Sequence, residues 1–156
     1  MKNVTVLGAG MVGTAIAVDL AGTCDVTVVD ARDDALQRVA KRAKVNARRA
    51  DLSTAADVVR AVEGADVVVG ALSSQIGLQT LRAVIEANKS YVDISFMADD
   101  ASSLDELARA HGVTSVVDCG VAPGISNLLA GFAVGALPAC ERLDIFVGGL
   151  PAVRSW

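Results

Sequence analysis

A G-x-G-x-x-G motif near the start of the chain constrains the fold more than any other feature. It follows the short apolar run 4–7 and opens a stretch with helical spacing. In this setting Gly8 permits a tight turn, Gly10 lets the backbone approach a pyrophosphate, and Gly13 lets the helix pack on the strand. The free amides at the start of such a helix face bound phosphates. The motif therefore predicts a strand–loop–helix unit that binds a dinucleotide.

Short β-branched runs alternate with helical stretches along the rest of the chain. The chain has 156 residues, of which 53% are hydrophobic, and this composition suits one domain with strands buried on both faces. Together with the glycine motif, the alternation predicts an α/β fold, a Rossmann-type doubly wound parallel sheet with helices on both faces. The predicted strands are residues 4–7, 26–30, 45–50, 67–71, 91–94 and 113–118.

Polar residues and glycines mark the predicted ends of the helices. Thr54 with Asp57, and Ser103 with Glu106, have the spacing of capping boxes, in which side chains satisfy free amides of the first turn. The residues expected to end helices are Gly22, Gly64, Asn88 and Gly112.

An acidic residue at the end of the second predicted strand supports the dinucleotide hypothesis. Asp30 lies 22 residues after Gly8, near the roughly 20 expected of a ribose-binding carboxylate. Such a carboxylate accepts both ribose hydroxyls and repels a 2′-phosphate, so NAD is favoured as the cofactor. NADP stays possible because Arg32 is placed to pair with a phosphate or to stack on adenine. Asp51 follows the third predicted strand, where such folds usually contact adenine.

Charge and hydropathy exclude several other classes of partner. The net charge of −4 argues against nucleic-acid binding, and no aromatic residues interleave with the basic cluster to stack on bases. That cluster is therefore predicted to be a solvated helix face and loop. Its members are Lys41, Arg42, Lys44, Arg48 and Arg49.

Neither a membrane segment nor a metal site is predicted. The longest strongly apolar stretch, residues 128–137, falls short of the roughly 20 residues that span a bilayer. The three cysteines, Cys24, Cys119 and Cys140, are odd in number and form no C-x-x-C pair, which indicates a reduced cytoplasmic protein.

In an open doubly wound sheet the ligand lies outside the carboxyl ends of the strands. Three loops are predicted there, at residues 71–74, 93–95 and 118–120, and Asp93, Asp118 and Cys119 are the candidates to manage a proton during hydride transfer. Each has the alternative role of a capping carboxylate or a small packed thiol, so the catalytic residue stays open. We expect Tyr91 to pack in the core and His111 to lie at a helix C-terminus.

The segment 118–127 reads Asp-Cys-Gly-Val-Ala-Pro-Gly-Ile-Ser-Asn, and a Val-Gly-Gly-Leu-Pro segment follows at 147–151. With the glycine motif, these segments resemble the saccharopine dehydrogenase-like family, most closely its lysine 6-dehydrogenase-type members. The resemblance implies an NAD(P)-dependent oxidoreductase that acts on the C–N bond of an amino acid. It also implies a Rossmann domain followed by a second α/β domain that completes the substrate pocket and a dimer interface, so we expect a homo-oligomer.

The resemblance extends to individual site residues. It places Gly8, Gly10, Met11, Val12, Gly13 and Asp30 in the cofactor segment, and Ala71, Leu72 and Ser73 in a loop beside the nicotinamide. Asp93, Cys119 and Gly120 match positions that face the substrate in this family.

The resemblance also divides the chain. Residues 1–120 are expected to form the cofactor domain, and residues 121–156 a connecting helix and the first strand of a largely missing second domain. That strand is predicted at residues 143–147 and needs a partner. We therefore expect these 156 residues to bind the cofactor but to catalyse poorly alone.

Two other functions remain open from the sequence. One is a non-enzymatic NAD-sensing regulatory domain, which shares the glycine motif and the acidic residue at the end of the second strand. The other is a dehydrogenase of another amino acid or of a carboxylated polyamine. The 118–127 segment favours an enzyme, because a sensor does not need a Cys-Gly turn and a Pro-Gly pair at the crevice.

Overall fold

The structure is a computed structural model that describes residues 1–148. Six parallel strands form one sheet in the order β3-β2-β1-β4-β5-β6, which is a doubly wound order. The predicted fold class is thus confirmed. The strands are β1 (Asn3–Leu7), β2 (Asp25–Asp30), β3 (Asn46–Arg49), β4 (Val67–Gly70), β5 (Ser90–Asp93) and β6 (Ser115–Val116).

Helices connect consecutive strands, as parallel pairing requires. Two 3-10 helices, Ser74–Ile76 and Ala101–Leu104, precede the fourth and fifth α-helices. The α-helices are α1 (Met11–Leu20), α2 (Asp33–Ala40), α3 (Ala55–Val62), α4 (Gly77–Glu86), α5 (Asp105–His111) and α6 (Ile125–Ala136).

The sheet separates two hydrophobic clusters. Along β1, for example, Val6 and Leu7 are both fully buried but belong to different clusters, because successive side chains point to opposite faces. Residues of α1 and α2 pack in the cluster of Val6, whereas residues of α3 and α4 pack in that of Leu7. Helices on both faces leave the carboxyl edge of the sheet open for a ligand.

Helix ends follow the predicted signals in most places. Thr54 caps α3 by accepting a hydrogen bond from the amide of Asp57. Asn88 and Gly112 adopt the left-handed conformation after α4 and α5, with φ of 57° and 65°. Gly22 and Gly64 each lie two residues past a helix end without adopting that conformation.

The predicted capping box at Ser103 and Glu106 is wrong. Ser103 lies inside the 3-10 helix, and α5 begins after Leu104 with no side-chain cap. The side chain of Asp100 accepts a hydrogen bond from the amide of Ser102 at 2.9 Å, so it caps the 3-10 turn earlier in the chain. An Asx turn of this kind competes directly with a hydroxyl cap three residues later.

We expect Gly112→Ala to lower the free energy of unfolding by about 1 kcal/mol, because an alanine side chain disfavours the left-handed conformation. A Cβ at position 112 meets no atom within 4 Å, so the cost comes from the backbone alone. Gly64→Ala is the matched control, since it also adds a methyl group in open space but at a residue without positive φ. Urea unfolding of both variants measures the difference between their free energies of unfolding. Equal values would contradict the left-handed conformation of Gly112.

The chain after β5 departs from the predicted strands. The strand expected at 113–118 is only two residues long, and residues 143–147 form no strand within the described part of the chain. Strands need hydrogen-bonded partners, and residues 1–148 offer none to that segment. The Gly149–Pro151 part of the sequence resemblance lies outside the described residues.

The last helix, α6, has no buried residue. Leu128 and Phe132 are 75% and 79% exposed, although both are large apolar side chains. Across residues 1–148, no helix combines the length and apolar character needed to cross a membrane.

Candidate functional site

The loops at the carboxyl edge of the sheet are joined by backbone hydrogen bonds. The amide of Gly8 donates to Val29 at 2.8 Å, and that of Ala71 donates to Leu7 at 2.8 Å. Farther along the edge, Ile94 donates to Gly70 at 3.2 Å, and Cys119 donates to Asp93 at 2.9 Å. The predicted cofactor and substrate loops are therefore brought together along one edge.

Gly8 and Gly13 shape the glycine loop against the end of β4. Gly8 has φ of 101°, and a Cβ there would overlap the carbonyl oxygen of Ala71. A Cβ on Gly13 would overlap the carbonyl oxygen of Gly8. No other residue fits either position, because backbone atoms occupy the space of the side chain.

Gly10 differs from both, because a Cβ there meets no atom within 4 Å. It is the N-cap of α1 and supplies no side-chain cap, so the amides of the first turn lack side-chain partners there. Met11 and Val12 are 92% and 50% exposed beside it. This open cradle in front of a helix N-terminus fits a dinucleotide pyrophosphate.

Asp30 braces the glycine loop from the end of β2. Its Oδ2 accepts a hydrogen bond from the amide of Ala9 at 2.7 Å, and its Oδ1 accepts one from the amide of Arg32 at 2.8 Å. The Arg32 Nε lies 3.6 Å from Oδ1, and only 13% of the Asp30 side chain is exposed. Both oxygens thus already have partners in the protein, and the ribose contact stays a prediction.

Asp51 is also engaged locally. Its Oδ1 accepts a hydrogen bond from the amide of Ser53 at 2.9 Å, which closes a turn after β3. Hydrogen bonds from the backbone amide and then the side chain of Ser53 lower the pKa of the Asp51 carboxyl. The adenine contact predicted for Asp51 stays a prediction.

A buried network supports the loops that follow β4 and β5. Asp93 is fully buried, and its oxygens accept hydrogen bonds from the hydroxyl of Tyr91 at 3.1 Å and the amide of Ser95 at 2.7 Å. The Ser95 hydroxyl donates to the carbonyl of Leu72 at 3.2 Å. This geometry gives Asp93 a supporting role and does not favour the predicted substrate contact, because its carboxylate is not exposed.

Tyr91 packs in the core, as predicted, and its hydroxyl also donates a hydrogen bond to Asp93. Burial raises the pKa of Tyr91 well above its ordinary value, and the charge of Asp93 and the hydrogen bond to it act in the same direction. The hydroxyl therefore stays protonated and keeps donating to Asp93. Sequence reasoning missed this bond and the role of Ser95, although the period of two places Tyr91 and Asp93 on one face of β5.

Asp118, Cys119 and Gly120 lie at the end of the sheet beside a cavity of about 500 Å³ that Pro123 and Leu128 also line. Asp118 is exposed and has φ of 59°, a conformation that carboxylate residues tolerate better than most. Partial burial of the Cys119 thiol, followed by the negative charges of Asp93 and Asp118, raises the pKa of that thiol. Cys119 is thus mostly protonated near neutral pH, which disfavours a role as a nucleophile.

We expect the Cys119 thiol to be alkylated more slowly than a free peptide thiol near neutral pH, because the thiolate is the reactive form and a raised pKa reduces its amount. Iodoacetamide labelling of a Cys24→Ser/Cys140→Ser variant across a pH series measures this rate. Glutathione, a free peptide thiol with an ordinary pKa, is the control. Labelling as fast as the control throughout would contradict the structure.

His111 is the last residue of α5, the position predicted for it. Its Nδ1 lies 3.0 Å from the Oδ1 of Asn88, which is two residues past the end of α4. This contact links two helix ends. Among residues 1–148, no three His, Cys, Asp or Glu side chains cluster closely enough to hold a metal ion.

Comparison with models of protein families shows which kind of domain contains this sheet and its carboxyl edge. Residues 4–116 match the model of the saccharopine dehydrogenase NADP-binding domain. The chain belongs to this family. The match runs from the second residue of β1 to the last residue of β6, so the whole sheet corresponds to a nicotinamide dinucleotide-binding domain.

Two similar proteins support the assignment of this chain to the saccharopine dehydrogenase NADP-binding domain family. The alpha-aminoadipic semialdehyde synthase of Arabidopsis thaliana is 31% identical over 97 residues, which cover 62% of this chain and 9% of the plant protein. The apo saccharopine dehydrogenase (L-Glu forming) of Saccharomyces cerevisiae has the same fold, with a TM-score of 0.77 and 24% identity over 86% of this chain and 31% of the yeast enzyme.

A second similar structure contains a cofactor. An imine reductase variant from Myxococcus stipitatus, in complex with NAD⁺, has a TM-score of 0.55 and 25% identity over 75% of this chain and 40% of that enzyme. This chain therefore spans less than half the length of each of these relatives.

Proposed function

We propose that this chain is the cofactor-binding part of an oxidoreductase that transfers hydride to or from the C–N bond of an amino acid. The observation that carries the proposal is the open cradle at Gly10, which lies on the same sheet edge as the loops at 71–73 and 118–120. A ligand extended along this edge reaches from the glycine loop to the cavity beside Cys119.

The residues of this chain have separate roles in the proposed reaction. The first-turn amides of α1 hold the pyrophosphate, and Asp30 fixes the loop that presents them. The bound nicotinamide supplies the hydride acceptor or donor. The loop at 71–73, held by Ser95, flanks that end of the ligand. Asp118 is exposed at the far end, where a carboxylate attracts a substrate amino group.

The substrate class is inferred from the relatives' names. Saccharopine, lysine or a similar amino acid fits a domain of the saccharopine dehydrogenase type. The imine reductase also acts on a carbon–nitrogen bond, by its name. We propose a substrate with an amine at the reacting carbon, without choosing between saccharopine dehydrogenase and lysine 6-dehydrogenase activity.

We further propose that residues 1–120 form the cofactor unit and that the segment from 121 leads to a region that completes the substrate pocket. The exposed apolar face of α6 supports this division and also supports association with another subunit. The three cysteines of the described residues are all free, which favours a reducing compartment such as the cytoplasm.

A substrate panel tests the reaction class. Saccharopine, lysine and, as a control, a 2-hydroxy acid are each incubated with NAD⁺ or NADP⁺ and the protein, and reduced nicotinamide is followed by its absorbance. Turnover with saccharopine or lysine, but not with the hydroxy acid, supports the proposal. Turnover with only the hydroxy acid contradicts it, and cofactor binding with no turnover favours a sensor or a part that is inactive alone.

A further inference from the structure

The two edge strands of the sheet differ in charge. β3, at one edge, carries Arg48 and Arg49, and charged side chains on an edge strand oppose pairing with a further strand. β6, at the other edge, consists of Ser115 and Val116 and has uncharged neighbours on both sides in the sequence. The β6 edge therefore lacks the protection that the arginines give to the β3 edge.

The backbone of Ser115 faces the free side of β6. Its neighbour Thr114 faces β5, because the carbonyl of Thr114 accepts a hydrogen bond from the amide of Tyr91 at 3.0 Å. The backbone groups of successive strand residues point alternately to the two sides, so the amide and carbonyl of Ser115 point away from β5. Within residues 1–148, the sheet has no strand on that side of β6. One main-chain donor and one main-chain acceptor are thus available at this edge.

The side chain of Ser115 also lacks a partner. Its hydroxyl is buried and forms no hydrogen bond among residues 1–148. Ser115 lines a cavity of about 660 Å³ between α4, α5 and β6, together with apolar residues such as Leu104 and Val117. Asp105 and Arg109 also line this cavity, and they pair with each other at 2.8 Å. The free edge of β6 thus adjoins an apolar cavity whose lining has no net charge.

The sequence Val-Thr-Ser-Val-Val that contains β6 is complementary to itself. If two copies lie antiparallel with Ser115 opposite Ser115 of the second copy, Val113 lies opposite Val117. Thr114 then lies opposite Val116 on the other face of the sheet. Cross-strand pairs of β-branched residues stabilise a sheet, and this register brings no like charges together. The edge therefore suits a second copy of the same chain.

We propose that two copies of this chain associate by antiparallel pairing of their β6 edges, with Ser115 on the two-fold axis. Residues directly opposite each other in an antiparallel ladder exchange two hydrogen bonds, so the free amide and carbonyl of Ser115 both gain partners. The two buried Ser115 hydroxyls meet across the axis and become partners for each other. A partner on the free side also lengthens β6 from two residues towards the strand predicted at 113–118.

This inference goes beyond the proposed function and does not depend on cofactor binding. The pairing joins two six-stranded sheets into one continuous sheet across the axis. Because the two sheets run in opposite directions, their carboxyl edges point away from each other. The glycine loop of each copy therefore stays open to a ligand.

Sedimentation equilibrium of the full chain tests the association. We expect a monomer–dimer equilibrium with a dissociation constant of about 10–100 μM, because the paired edge is short and the interface is small. The dimer has twice the mass of the 15.9 kDa chain, so the two species are readily distinguished.

A matched pair of lysine variants locates the contact. Val116→Lys places a charge on the β6 edge, whereas Val59→Lys makes the same change on α3, and the two valines are 47% and 39% exposed. We expect Val116→Lys to weaken the dimer at least about tenfold, because a charge on an edge strand opposes pairing, and Val59→Lys to leave it unchanged. Circular dichroism checks that both variants are folded.

Disulfide cross-linking tests the register. In a background with Cys24, Cys119 and Cys140 replaced by serine, Ser115→Cys places two thiols opposite each other on the axis. The Cα atoms of such a pair are about 5.5 Å apart, which suits a disulfide. We expect mild oxidation to link Ser115→Cys into dimers. Ala47→Cys is the control, since it lies on the β3 edge and is exposed.

Three results would overturn the proposal. The first is a monomer at every concentration up to about 500 μM, well above the expected dissociation constant. The second is a dimer that the two lysine variants weaken equally, because its contact then lies elsewhere, for example on α6. The third is equal cross-linking of the two cysteine variants, which would exclude the Ser115 register.

Discussion

Gly13→Ala is expected to lower the free energy of unfolding by about 3 kcal/mol, which corresponds to a melting temperature roughly 10 °C lower. The added methyl group would overlap the carbonyl oxygen of Gly8 and lie 3.2 Å from the Cβ of Ala71. Because both neighbours belong to the loops at the carboxyl edge, the helix and strand must separate to make room. Thermal unfolding followed by circular dichroism measures the loss.

Gly10→Ala is the control for this prediction. The same methyl group enters open space at position 10, so we expect the melting temperature to stay within about 3 °C of the parent. Equal destabilisation by the two substitutions would show that the loop does not pack against β4 as described.

Tyr91→Phe is expected to cost about 2 kcal/mol of stability, because it leaves an oxygen of the buried Asp93 carboxyl without its donor. The matched control is Thr80→Val, which removes a buried hydroxyl that has no hydrogen-bond partner among residues 1–148. We expect that control to be neutral or stabilising, since no partner is lost. Urea unfolding distinguishes the two hydroxyls, and a harmless Tyr91→Phe would contradict the network.

The same tyrosine predicts a pH dependence. Its pKa is raised in the folded chain, so above the ordinary value of 10.0 the unfolded chain loses a proton that the folded chain keeps. Stability contributed by this group is therefore complete below pH 10 and falls as the pH rises further. Tyr91 is the only tyrosine in the sequence, so tyrosinate absorbance reports on it directly. If the Tyr91 hydroxyl of the folded chain titrates near its ordinary pKa of 10.0, the burial of this side chain is contradicted.

Much of the fold is predictable because its signals are local. The glycine motif, the strand periodicity and the residues after α4 and α5 each act over a few positions, and the structure confirms the sheet they imply. The cofactor residues could be placed at the carboxyl edge for the same reason, since the end of each strand can be read from the sequence.

The features that the sequence did not predict depend on contacts between residues that are far apart along the chain. The short β6 and the absence of a strand at 143–147 depend on which neighbours are present to pair. The hydrogen bond from Ala9 to Asp30 joins residues 21 positions apart, and it ties the carboxylate predicted to bind ribose to the glycine loop. Ser95 supports the loop at Leu72 through a bond that spans 23 positions. The periodicity of apolar residues along the sequence does not indicate which distant residues form such pairs.

Titration of NADPH and NADH into the parent chain and into Gly10→Ala tests the central claim most directly, namely that the open glycine cradle holds a dinucleotide pyrophosphate. We predict that the parent binds with micromolar affinity and that Gly10→Ala, still folded, loses about 100-fold, because its methyl group occupies the space of the phosphates. Unchanged binding by a folded Gly10→Ala variant, or no binding by the parent, would contradict the account.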